Sequence, residues 1–92
     1  MMLHELLESV TDEQSFLMFV KALIADRTPH EGKPSDETGF TEDWANNTIA
    51  EYLESSVAWA EDSNFGRQLN KELENNKWKQ FAAFLYGGKV YE

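Results

Sequence analysis

The side chains of this chain that could do chemistry are few and widely spaced. Glu51, Glu54 and Glu61 recur at intervals of three and seven, which puts three carboxylates on one side of a helix. Such a set could ligate a metal ion or meet a cationic surface. A carboxylate di-metal site in a helical bundle needs Glu-x-x-His motifs whose side chains point inward. No histidine follows these glutamates and the apolar residues fall on the opposite arc, so the expected role is a solvated acidic face. His4 and His30 are the two histidines, and neither stands at a spacing with another ligand or nucleophile. Asp36, Glu37, Glu42 and Asp43 could attract calcium, yet the alternating oxygen ligands, central glycine and closing glutamate of a calcium loop are missing. Cysteine is absent, which removes thiolate ligation and a thiol nucleophile. There is no glycine-rich phosphate cradle and no nucleophile elbow. The expectation is a protein without catalytic residues, metal or cofactor, and not an enzyme.

What remains is recognition. The chain has 92 residues and a net charge of −9, and its charge is uneven: residues 1–62 hold 14 acids and three bases, residues 63–92 three acids and five bases. The C-terminal third therefore complements the rest, and packing within one monomer is the expected way to satisfy it. A surface this acidic repels phosphate backbones, so direct nucleic-acid binding is not expected, whereas a basic protein partner is. Tryptophan and tyrosine anchor interfaces when partly exposed. The candidate protein-binding set is accordingly Glu51, Glu54, Glu61 and Asp62 with Tyr52 and Trp59. The longest apolar runs, such as 16–20 and 81–86, fall far short of the ~20 residues that span a bilayer. With no cysteine, the expected compartment is the cytoplasm.

The elements that must carry these residues are helical. Leu3, Leu6, Leu7 and Val10 stand at i, i+3, i+4, i+7 and predict a short first helix. Thr11 and Gln14 match a capping box and predict a second helix from about Asp12. Phe16, Phe19, Val20, Leu23 and Arg27 share its apolar face, and Leu17 and Ile24 widen it, which makes it the expected central helix. Thr28-Pro29 ends it. Residues 28–43 contain both prolines and two of the five glycines and read as one long polar loop. Asn47 or Thr48 can cap a third helix, with Thr48 and Glu51 as a second capping box. On it Ile49, Tyr52, Leu53, Ser56, Val57, Trp59 and Ala60 form one arc, and the acids take the other. The third helix should end near Asp62, and 67–76 offers at most a weakly patterned helix. Asn76 should cap a last helix carrying Trp78, Phe81, Ala82 and Leu85. Gly87-Gly88 should either fray that helix or let it press closely on a neighbour. The predicted fold is a single all-α domain over 1–92, a compact bundle of four short helices, or five if 67–76 folds.

The run Trp44-Ala45-Asn46-Asn47-Thr48, followed by Tyr52-Leu53-Glu54, Trp59 and Asp62, belongs to a wider pattern. With Ser15-Phe16-x-x-Phe19-Val20-x-x-Leu23 and the ending Trp78-x-x-Phe81-Ala82-x-x-Leu85-x-x-x-Lys89-x-Tyr91-Glu92, it resembles a family of short bacterial proteins known only as a domain of unknown function. The resemblance spans residues 12–92. It departs at Gly87-Gly88, where the family has small helix-forming residues, and in the longer polar segment 28–43. It implies a compact α domain and brings no assigned activity. Read physically, Trp44 should anchor the start of the third helix, and Lys89 should meet a carboxylate on a neighbouring helix. The leading expectation is a non-enzymatic interaction module that binds a basic protein, as small immunity or inhibitor proteins do. A self-associating homodimer, with a weak dimer seam at its exposed aromatics, and an acidic mimic of DNA are the alternatives.

Overall fold

The computed structural model describes residues 2–31, 44–67 and 71–91. Four helices follow in order: α1 (Leu3–Glu8), α2 (Glu13–Arg27), α3 (Ile49–Asp62) and α4 (Lys77–Val90), with short 3-10 turns at Thr28–His30 and Lys71–Asn75. This is the all-α bundle the periodicity predicts. Most of the long polar segment read at 28–43 lies outside the described residues; its first three residues form the 3-10 turn after α2.

The starts of α2, α3 and α4 each have an identifiable donor-acceptor reason. For α2 the expected Thr11–Gln14 box is displaced by one residue: the Asp12 carboxylate accepts from the Ser15 amide at 2.9 Å, and the Asp12 amide donates back to Ser15 Oγ at 3.0 Å. The Ser15 amide, and then the Ser15 hydroxyl that donates to Asp12 Oδ1 at 2.8 Å, hold the Asp12 carboxyl below its ordinary pKa. Aspartate wins over threonine here because its charged oxygens accept more strongly from free helix amides and face the positive end of the helix. Thr48 caps α3, its hydroxyl accepting from the Glu51 amide at 3.1 Å. The expected box is incomplete, since the Glu51 carboxylate accepts from the Asn47 amide at 3.3 Å instead of from that of Thr48. Asn76 caps α4 through the Lys79 amide at 3.0 Å, as expected, and its own amide group donates to the Val10 carbonyl at 3.1 Å.

The central helix is α4 and not α2. Among the described residues α4 packs on α1, α2, α3 and the 3-10 turn at Lys71–Asn75, whereas α2 and α3 do not pack on one another. The reason lies in its small side chains. Ala82, Ala83, Gly87 and Gly88 are all buried, so neighbours approach from two sides at once. A Cβ on Gly88 would fall 2.4 Å from Ser56 Oγ and 2.6 Å from the Tyr52 ring, and one on Gly87 would fall 3.0 Å from the Trp59 ring. The glycine pair thus does not fray the helix; it sets how near α3 can come.

The core is built from Val10, Phe19, Leu23, Trp44 and Ala82, with Leu3, Leu6, Leu7, Phe16, Val20 and Trp78 packed around it. Phe16 and Trp78 rings meet at 5.5 Å between centroids. The molecule measures 39 × 26 × 18 Å, about two helix layers thick. So thin a body cannot enclose every apolar side chain its helices carry. Leu17 and Ile24, expected to widen the buried face of α2, are 48% and 60% exposed.

Candidate functional site

The segment 44–48 is a strap that ties three helices together. Trp44 is buried, and its indole N–H donates to Asp26 Oδ2 of α2 at 2.9 Å. Lys89 Nζ of α4 lies 2.8 Å from the same carboxylate oxygen. The Arg27 guanidinium and the Lys89 ammonium stand over the Trp44 ring at 5.2 and 5.5 Å from its centroid, a favourable use of the negative face of the ring. The Ala45 amide donates to the Lys89 carbonyl at 2.8 Å. The Asn46 side chain donates to the carbonyls of Gly88 and Tyr91, at 2.8 and 3.0 Å, and accepts from Ser55 Oγ at 3.1 Å. Arg27 in turn donates to the carbonyls of Asn46 and Asn47, both at 3.3 Å, and to Glu31 at 3.0 Å. The expected roles of Trp44 and Lys89 are therefore met, with Asp26 as the carboxylate partner. Asn46 was not assigned a role from sequence, because nothing in its spacing shows that it would close the end of α4 some 40 positions away.

Between α2 and α3, beside this strap, lies a cleft of about 220 Å³ lined by residues that include Leu23, Ile24, Trp44, Ile49 and Tyr52. The polar groups around it are already engaged by the fold. The Tyr52 hydroxyl donates to the Leu85 carbonyl at 2.6 Å, and burial pushes its pKa up to about 12. What the cleft presents is mainly aliphatic side chains and ring faces.

Of the candidate binding residues, the structure separates aromatics from acids. Tyr52 and Trp59 are half-buried in the α3–α4 seam, with Trp59 against Gly66, Gly87 and the Phe65 ring. Glu51, Glu54, Glu61 and Asp62 are exposed. Asp62 accepts from the Tyr91 hydroxyl, which raises the pKa of that phenol; Glu51 accepts from the Asn47 amide as described. Among the described residues Glu54 and Glu61 make no ion pair or hydrogen bond. No three His, Asp or Glu side chains among the described residues come together as metal ligands.

The apolar arc of α3 is divided between seam and surface. Its Ile49, Leu53 and Val57 are 79%, 47% and 47% exposed, whereas Ser56 of the same arc is buried together with Ser55 and Ser63 outside it. Close approach to the glycines of α4 rotates α3 so that serines and ring faces enter the seam and half of the arc is left at the surface. The signal in the sequence was the breadth of that arc, wider than one neighbouring helix can cover.

No helix among the described residues is long and apolar enough to cross a membrane. A family model described as a family of unknown function, DUF7660, matches residues 12–92. No curated protein and no solved structure matches the chain.

Proposed function

The chain belongs to the DUF7660 family, a family of unknown function, and from that premise we propose that it is a non-enzymatic protein-interaction module that holds a basic protein partner against the acidic side of α3. The observation that carries this reading is that Glu54 and Glu61 project from one helix face without an intramolecular cation among the described residues. Unneutralised charge on a body of net charge −9 attracts and orients a basic surface. Support also comes from the polar groups around the cleft, which are tied to backbone and to one another and so are engaged in holding the fold. A bacterial cytoplasm, where a chain without cysteine is at no disadvantage, belongs to the same reading.

The test is a pull-down from the source cell's lysate with the wild-type chain beside the Glu51→Lys/Glu54→Lys/Glu61→Lys variant. Glu51 sits in the first turn of α3, where a carboxylate is stabilised by the positive end of the helix dipole and a lysine is not, so circular dichroism must show the variant folded. A basic partner retained by the wild type and lost by the folded variant is expected. Retention by both, with the same salt dependence, would falsify the reading. Self-association is the second reading, raised by the exposed Ile49, Leu53 and Val57, and a constant monomer mass in light scattering over a concentration series removes it.

A further inference from the structure

Going round α3, the buried side made by Tyr52, Ser55, Ser56 and Trp59 is followed by Ile49, Leu53 and Val57, and then by Glu54 and Glu61. The three aliphatic residues stand at i, i+4 and i+8, so they form one stripe about 12 Å long. The acids run beside it along its solvent edge. At its N-terminal end the stripe meets the cleft between α2 and α3, where Ile24 and Ile49 are exposed and Leu23, Trp44 and Tyr52 lie deeper. An apolar groove with carboxylates along one rim, ending in a cleft floored by Leu23, Trp44 and Tyr52 whose Arg27 and Glu31 are engaged with one another, is the complement of an amphipathic helix with a basic flank.

We propose that this stripe and cleft are the docking groove for an amphipathic basic helix of a partner protein. An aliphatic or aromatic side chain of that helix enters the cleft between Ile24 and Ile49. Apolar side chains one and two turns further on cover Leu53 and Val57, and its lysines or arginines meet Glu54 and Glu61. The inference rests on the interaction-module reading and adds the chemistry of the segment that is bound.

A second copy of the chain fits the groove poorly. The three aliphatic side chains expose on the order of 300 Å², about the largest apolar patch of an ordinary monomer and well short of the ~800 Å² per partner in a stable interface. Charge must supply the remainder of the recognition. A two-fold contact stripe to stripe would bring the Glu54 and Glu61 rims of both copies to the same interface, between bodies of net charge −9 each. Like charges at a rim oppose association, whereas a basic flank converts the same rim into an attractive one.

The experiment is a nuclear magnetic resonance titration of the ¹⁵N-labelled full chain with a synthetic helical peptide of leucine and lysine patterned for one apolar face. A scrambled peptide of the same composition is titrated in parallel. The expected result is a set of shifts at Ile49, Leu53, Val57, Glu54, Glu61 and the Trp44 indole. The exposed positions allow Leu53→Ser/Val57→Ser to be made without opening the core, and this variant is expected to bind the patterned peptide about tenfold more weakly while binding the scrambled peptide as before. Shifts confined to other surfaces, equal binding of the scrambled peptide, or an unchanged affinity of the serine variant would each overturn the groove. Concentration-dependent shifts of the free chain at the same residues would overturn it in favour of a second copy. Binding lost in Glu54→Lys/Glu61→Lys but kept in the serine variant rejects the groove and leaves the acidic-face reading standing. Binding lost in the serine variant but kept, with unchanged salt dependence, in the charge-reversed one rejects the basic flank and the acidic-face reading with it.

Discussion

At the scale of single residues, Tyr52 shows how tertiary contact reassigns a side chain. Its type and place on the third helix made it a candidate interface anchor, but its hydroxyl is held by the Leu85 carbonyl and its ring lies beside Gly88 and Trp44. Burial raises its pKa from 10.0 to about 12, because the phenolate loses hydration that the seam does not replace. A raised folded-state value means that the unfolded chain releases this proton first as pH rises. The corresponding stability is fully present below pH 10 and is lost as pH rises through about 12. In an alkaline absorbance titration of the folded chain, one tyrosinate step near pH 12 should be present in the wild type and missing in Tyr52→Phe. A Tyr52 that titrates at its ordinary value would mean that the seam is open to water. Ser56 is the neighbouring case: its hydroxyl is buried with no hydrogen-bond partner, which sequence cannot show, because serine reads equally well as surface or seam.

At the scale of elements, the α3–α4 seam is where helix propensity and packing oppose each other. Two glycines inside α4 weaken it by about 1 kcal/mol each relative to alanine, yet the helix continues to Val90 because they allow α3 to close on it. Gly88→Ala should therefore destabilise the protein, although an isolated helix would gain from it. The added Cβ meets the Tyr52 ring and Ser56 Oγ at under 3 Å, and overpacking of this kind costs about 1–3 kcal/mol. Chemical denaturation of the variant checks the sign, and an increase in stability would show that α3 can move aside. Helix existence, the cap at Asn76 and the cap of α3 to within one residue, at Asn47 or Thr48, were legible in the sequence, since these depend on side chains within a few residues, as was the close-packing alternative for Gly87-Gly88. The cap of α2 was misread by one residue because threonine and aspartate stand side by side and both can cap. The rotation of α3 was not legible, since a hydrophobic arc states how much surface is apolar and not which part a neighbour reaches.

At the scale of the whole molecule, the Lys89–Asp26 pair joins the two unevenly charged parts of the chain across the fold. Lys89, from the basic C-terminal third, meets Asp26, from the acidic remainder, above the Trp44 ring. Asp26→Ala removes a carboxylate partner of the Lys89 ammonium and the acceptor of the Trp44 indole together, and, with Asp26 itself only partly buried, should destabilise by about 1–3 kcal/mol. Lys89→Met removes the charge that needs compensation and should cost less. Comparison of the two denaturation midpoints decides it; equal losses would mean that the packing of the Lys89 stem, and not its charge, is what counts. The composition, the helical periods and the local caps were determined by the sequence alone, because they depend on residue type and on neighbours within one or two turns. That the acids of α3 stay at the surface also followed from their arc. Only the tertiary structure decided that α4 is central, that residues 44–48 strap three helices, and that Ile49, Leu53 and Val57 are left exposed beside Glu54 and Glu61. These outcomes depend on how closely two backbones approach and on a body only two helices thick, and both arise from contacts between residues far apart in the chain.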